Sequence, residues 1–63
     1  MLQVGDKVRH KENTDVLGTV QYSTFGLIVS GVSYNEDGSV KHLWQTLGEP
    51  QHVVEEYWEK VED

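Results

Sequence analysis

The chain of 63 residues contains no cysteine, so disulfide staples, thiolate zinc sites and thiol nucleophiles are excluded together. It has a single proline, Pro50, and no apolar run approaching the roughly 20 residues that cross a bilayer. No basic segment followed by an apolar stretch reads as a secretory leader. The expectation is one soluble, cytoplasmic domain over residues 1–63, without a membrane partner. Positive charge is scarce as well: five Lys and Arg stand against eleven Asp and Glu, for a net charge of −6. Unspecific binding to phosphate backbones is driven by neutralising cations, so this balance argues against nucleic acid and for a basic partner or none. Gly-x-Gly-x-x-Gly, Walker and Gly-x-Ser-x-Gly patterns are all missing, and the chain is read as non-enzymatic, with no catalytic residue and no cofactor.

Nitrogen ligands are few. His10, His42 and His52 form no His-x-His or His-x-x-x-His pair, so no metal site is expected. A domain this small buries only about 60% of its unfolded surface, which leaves room for oligomerisation or a partner to supply further burial. With 37% apolar and 10% aromatic residues, the composition is nevertheless that of a folded chain.

What is present is alternation. In Val4-Gly5-Asp6-Lys7-Val8-Arg9-His10-Lys11 the side chains of Val4, Val8 and His10 fall on one face of an extended strand and those of Lys7, Arg9 and Lys11 on the other. Gly5-Asp6 supplies the turn before it, and Met1 to Val4 is a lead-in. Glu12-Asn13-Thr14-Asp15 is a loop of turn formers. Val16 to Ser23 reads as a second strand, with Gly18, Val20 and Tyr22 on one face and Leu17, Thr19 and Gln21 on the other. Gly18 inside that pattern marks a bulge, a close backbone approach or a plain turn.

After a turn at Ser23-Thr24-Phe25-Gly26, Leu27 to Tyr34 is the most apolar stretch, with Leu27 and Val29 on one face and Ile28, Val32 and Tyr34 on the other. That is the pattern of a central strand. Asn35-Glu36-Asp37-Gly38 is the strongest local signal, because Asp-Gly between strand-like runs makes a hairpin whose glycine takes positive φ. Val40 to Leu47 returns, carrying Val40, His42, Trp44 and Thr46 on one face and Lys41, Leu43, Gln45 and Leu47 on the other.

The ending admits two readings. Val53, Val54, Tyr57, Trp58 and Val61 have the spacing of an amphipathic helix with Pro50 in its first turn. They also fit a short strand through Val53, a 3₁₀ turn at Glu55 to Tyr57 and a last strand from Trp58 to Val61 pairing near the first.

The opening run, Gly18-Thr19-Val20, Val32-Ser33-Tyr34-Asn35-Glu36-Asp37-Gly38 and Val54-Glu55-Glu56-Tyr57-Trp58-Glu59-Lys60-Val61 together resemble the small SH3-like barrels of bacteria, phages and mobile elements, including tudor-like and KOW-like modules. The resemblance implies an all-β fold, a small five-stranded SH3-like barrel with a short 3₁₀ or helical turn near the C-terminus, and favours the strand-turn-strand ending. The run Gly5 to Lys11 is also similar to the opening of the plasmid-borne trimethoprim-resistant dihydrofolate reductases. Their pore motif, Val-Gln-Ile-Tyr in a late strand, is missing here. Val20-Gln21-Tyr22 is one residue short and in the wrong strand, so the reductase activity is not implied. Small photosystem and ferredoxin-partner subunits share the size and opening, at the level of fold alone.

Function then rests on surfaces. A barrel of this size cannot bury all of Tyr22, Phe25, Tyr34, Trp44, Tyr57 and Trp58. Tudor-like barrels hold methylated side chains in aromatic cages and SH3 domains hold proline-rich peptides in aromatic grooves, which makes Tyr34, Trp44 and Trp58 partner-binding candidates. The plainer expectation is that Tyr34 and Trp58 fill the core while Trp44, between polar neighbours, is left outward at a rim or an oligomer interface.

Acidity is concentrated at the end: Glu49, Glu55, Glu56, Glu59, Glu62 and Asp63 are opposed only by Lys60 in residues 49–63. Glu55, Glu56 and Glu59 are the further partner-binding candidates, either as a solvated rim or as the front of an acidic inhibitor imitating a nucleic-acid backbone. The expected role is a protein-interaction module that meets a protein partner or forms a homo-oligomer. Weak nucleic-acid binding through Lys7, Arg9, Lys11 and Lys41 is the remaining alternative.

Overall fold

The computed structural model describes residues 1–61. Five strands, β1 (Lys7–His10), β2 (Leu17–Ser23), β3 (Gly26–Tyr34), β4 (Val40–Gln45) and β5 (Trp58–Lys60), form one antiparallel sheet in the order β4-β3-β2-β1-β5. One helix, α1 (Gln51–Tyr57), precedes β5. The all-β, five-stranded fold that the resemblance implied is the fold observed.

The sheet is curled on itself. Adjacent strands lie about 4.8 Å apart, so in a flat sheet the two edge strands β4 and β5 would be separated by about 19 Å. Instead Trp44 of β4 and Trp58 of β5 stack, with ring centroids 6.0 Å apart and planes inclined by 17°. The space enclosed by the curl is the core: Leu2, Val8, Val20, Val29, Val54 and Trp58, with Val16, Leu27 and Trp44 packed against it. Val8, Val20 and Val29 are fully buried and sit on three successive strands.

The hairpin between β3 and β4 closes as expected. Gly38 has φ +90°, and the Asn35 N–H donates to the Ser39 carbonyl at 2.8 Å. Asp37 accepts from both the Ser39 N–H at 2.9 Å and its hydroxyl at 2.6 Å, and these bonds hold its carboxyl below the usual aspartate range. The ladder then shifts register between Ser33 and Tyr34.

Three expectations are corrected. The strand through Val53 and the 3₁₀ turn after it are a single helix, Gln51–Tyr57, entered from Pro50. Nor does that helix run on to Val61: at Trp58 the backbone turns extended, φ −126° and ψ 144°. A seven-residue helix is marginal by itself, whereas the free edge of β1 offers a ladder. Lys11 N–H donates to the Tyr57 carbonyl at 2.9 Å and Val61 N–H to the Lys7 carbonyl at 2.8 Å, either side of the pairs Arg9↔Glu59 and His10↔Trp58. Trp58 thereby points into the core, where His10 meets its ring edge-on at 5.0 Å.

Met1 to Val4 leads into β1 as expected, with Leu2 in the core, and the third correction concerns Val4. Leu2 N–H donates to Glu55 Oε2 at 2.6 Å and its carbonyl accepts from Gln51 Nε2 at 3.0 Å, so α1 pins the start of the chain over the core. Val4, expected to share a face with Val8, lies outside β1 and is exposed. Among the described residues no helix is long and apolar enough to cross a membrane.

Candidate interaction surface

Trp44 is placed on the inner face, not outward. It pairs across the ladder with Gly31, and its ring lies over Gly31 and Gly18. A Cβ at Gly18 would come within 2.6 Å of Val29 Cγ1 and 3.1 Å of Trp44 Cη2, so these two glycines clear the bed on which the indole rests. The ladder is regular through Gly18, which resolves that position as a close approach rather than a bulge. Polar neighbours at His42 and Gln45 said nothing about the tryptophan itself, because direction in a strand follows position parity.

The expected aromatic set is therefore divided. Trp44 and Trp58 come together, but they pack on each other inside the curl. Tyr34, expected in the core, is 63% exposed at the far end of β3. The acidic set is divided too. Glu55 faces the Leu2 amide and Gln51, and the bond from Leu2 is the main cause that keeps its carboxyl below the usual glutamate value. Glu59 pairs with Arg9 at 3.6 Å, and Glu56 stands exposed on α1. Glu62 and Asp63 lie outside the described residues.

The opposite face of the sheet carries a surface that alternation alone did not assemble. Arg9 pairs with Leu17, and Val32 with Leu43. The β2–β3 register, with Thr19 opposite Ser30, places Leu17 beside Val32 two residues further along. The row Arg9–Leu17–Val32–Leu43 thus runs straight across four strands on the outer face. Leu17 is 56% and Leu43 75% exposed, and Val32 between them is 36% exposed. The neighbouring row, Lys7, Thr19, Ser30 and Gln45, is polar and mostly short, so the outer face dips there. A shallow groove of about 580 Å³ follows the dip toward β4, and a second of about 400 Å³ follows it toward β1.

Cations frame this face. Lys7 and Arg9 stand at its β1 border, and Lys41 lies on β4 at the register shift. Among the described residues no group of three or more His, Asp or Glu side chains converges in a way that could hold a metal ion. Compared with known proteins, the chain matches no family model, no curated protein and no solved structure.

Proposed function

We propose that this chain is a small SH3-like barrel that works without catalysis, as a protein-contact module using the outer face of β2, β3 and β4. The strand order β4-β3-β2-β1-β5 with a helical turn before the last strand is consistent with that barrel class. The observation that carries the functional reading is the exposed row Leu17–Val32–Leu43. The fold does not need it, since the six core residues all lie on the other side of the sheet or beneath α1 and the lead-in. Apolar side chains aligned across three strands and rimmed by cations have the make-up of a contact patch: an apolar centre with a polar border. The cytoplasmic location expected from the sequence belongs to the same proposal.

Affinity capture from the native host tests it. Val32→Lys and Leu43→Lys remove the apolar centre while leaving the core untouched, and Glu56→Gln alters only the acidic side. A partner lost with the first two and kept with the third supports the reading. A partner lost with Glu56→Gln, and released steeply by salt, transfers the function to the carboxylates.

A further inference from the structure

The loop between β1 and β2, residues 11–16, is anchored on a side chain. His10 Nδ1 accepts from the Glu12 N–H and from the Asn13 N–H, each at 3.2 Å. An imidazole nitrogen that accepts carries no proton, so the neutral ring has its hydrogen on Nε2. The ring packs edge-on with the buried Trp58 at 5.0 Å, which fixes where Nδ1 stands. Asn13 is the joint of the loop. Its amide goes to His10, and its carbonyl accepts from the Val16 N–H at 3.0 Å, closing the turn that carries Thr14 and Asp15. The ends are tied separately: Lys11 N–H donates to the Tyr57 carbonyl at 2.9 Å, and the Val16 carbonyl accepts from the His10 N–H at 3.0 Å. Between those ends, the amides of Glu12 and Asn13 depend on one nitrogen.

We propose that His10 is a proton-operated latch, which holds the 11–16 loop against β1 when neutral and releases Glu12, Asn13 and the turn bearing Asp15 when protonated. Imidazolium carries an N–H on both nitrogens and accepts nothing, so protonation sets an N–H against two N–H groups. No rotation of the charged ring restores an acceptor. Imidazole is the side chain that changes charge between about pH 5 and pH 8.

The charged surroundings leave this bonding to the ring alone. Glu49 and Tyr57 line the cleft that His10 also lines, and Lys11 and Glu12 follow it in the chain. Glu55 on α1 is bonded to the Leu2 amide, and Arg9 pairs with Glu59. Among the described residues the two loop amides are the only partners of Nδ1.

Opening the latch reaches the outer face through Asp15, which borders the groove toward β1 together with Leu17 and Val32. Acid thereby releases a carboxylate at the β1–β2 end of that face and changes what is offered beside Leu17. This effect rests on the reading of the outer face as a contact surface; the latch itself does not.

Proton–nitrogen NMR spectra from about pH 8 to about pH 5, on the parent, His10→Asn and His10→Leu, test the latch. Asn places an amide oxygen where Nδ1 stands and does not titrate, whereas Leu removes the acceptor at every pH. In the parent, the Glu12 and Asn13 amide protons should move upfield together as pH falls, along one curve shared with the His10 ring protons. In His10→Asn they should hold still across the range, and in His10→Leu they should sit upfield throughout. The Trp58 indole resonance checks that each variant keeps the fold, and His10→Asn decides the matter alone should His10→Leu unfold. Loop amides that do not follow the ring, or that titrate unaltered in His10→Asn, overturn the latch. No partner enters these readouts, so their failure leaves the contact surface standing, and a failed capture experiment leaves the latch standing.

Discussion

Replacing Gly31 by alanine drives a methyl group into the Trp44 indole at Cζ2, to 2.7 Å from Cε2 and 2.8 Å from the Leu17 carbonyl oxygen. The ring could move aside, but the oxygen belongs to the adjoining strand and moves only if the β2–β3 ladder opens. Overpacking of this kind costs about 1–3 kcal/mol, against about 0.4–1 kcal/mol gained by restricting the unfolded chain. Because backbone as well as side chain is struck, a net loss of about 1–2 kcal/mol is expected. A 63-residue domain has about 3–9 kcal/mol in total, so this is a large share. At about 4–8 °C per kcal/mol, the melting temperature should fall by at least about 4 °C. Displacing Trp44 also separates it from Trp58, so the near-ultraviolet dichroism of the stacked pair should weaken in the folded protein. Leu43→Ala, one residue from Trp44 but outward, should alter stability by no more than about 0.5 kcal/mol. If Gly31→Ala melts with the parent and keeps the tryptophan signal, Trp44 does not lie across Gly31 and the account of the curl is wrong.

Two further perturbations probe the turn and the pinned start. Gly38→Ala meets nothing within 4 Å but must adopt φ +90°, so it should lower stability by about 1–2 kcal/mol in urea titration. An unchanged midpoint would deny that the hairpin requires that conformation. For Glu55, the Leu2 amide holds the carboxyl below its ordinary 4.5, so the folded state binds this proton more weakly than the unfolded chain. Its stabilising contribution is present above about pH 4.5 and disappears as pH falls through the lower folded value. Glu55→Gln should flatten the decline of melting temperature below about pH 4.5; parallel curves for the two proteins would refute the role.

Much of the fold was legible because its signals are local. Val8, Val20 and Val29 were assigned to shared faces by parity, and Asp37-Gly38 located the hairpin through the conformation its glycine takes. The ending was half legible: a last strand from Trp58 pairing beside the first was the reading the resemblance favoured and is the one observed, whereas the strand through Val53 and the 3₁₀ turn after it are a helix. The candidate surface was half legible. Leu17, Val32 and Leu43 each stood on a named face of a named strand, but only the inter-strand register put them in one row.

From the order of amino acids alone came the first four strands and a tight turn, because alternation and turn chemistry act over a few residues. The direction of Trp44 was settled by distant partners: Gly18 and Gly31, on two other strands, remove the side chains that would occupy its place. Whether an apolar side chain is core or contact surface depends on which way a sheet curls. Curling is a property of all five strands together, so the tertiary structure alone decided that Val8, Val20 and Val29 go inside and that Leu17, Val32 and Leu43 stay in water.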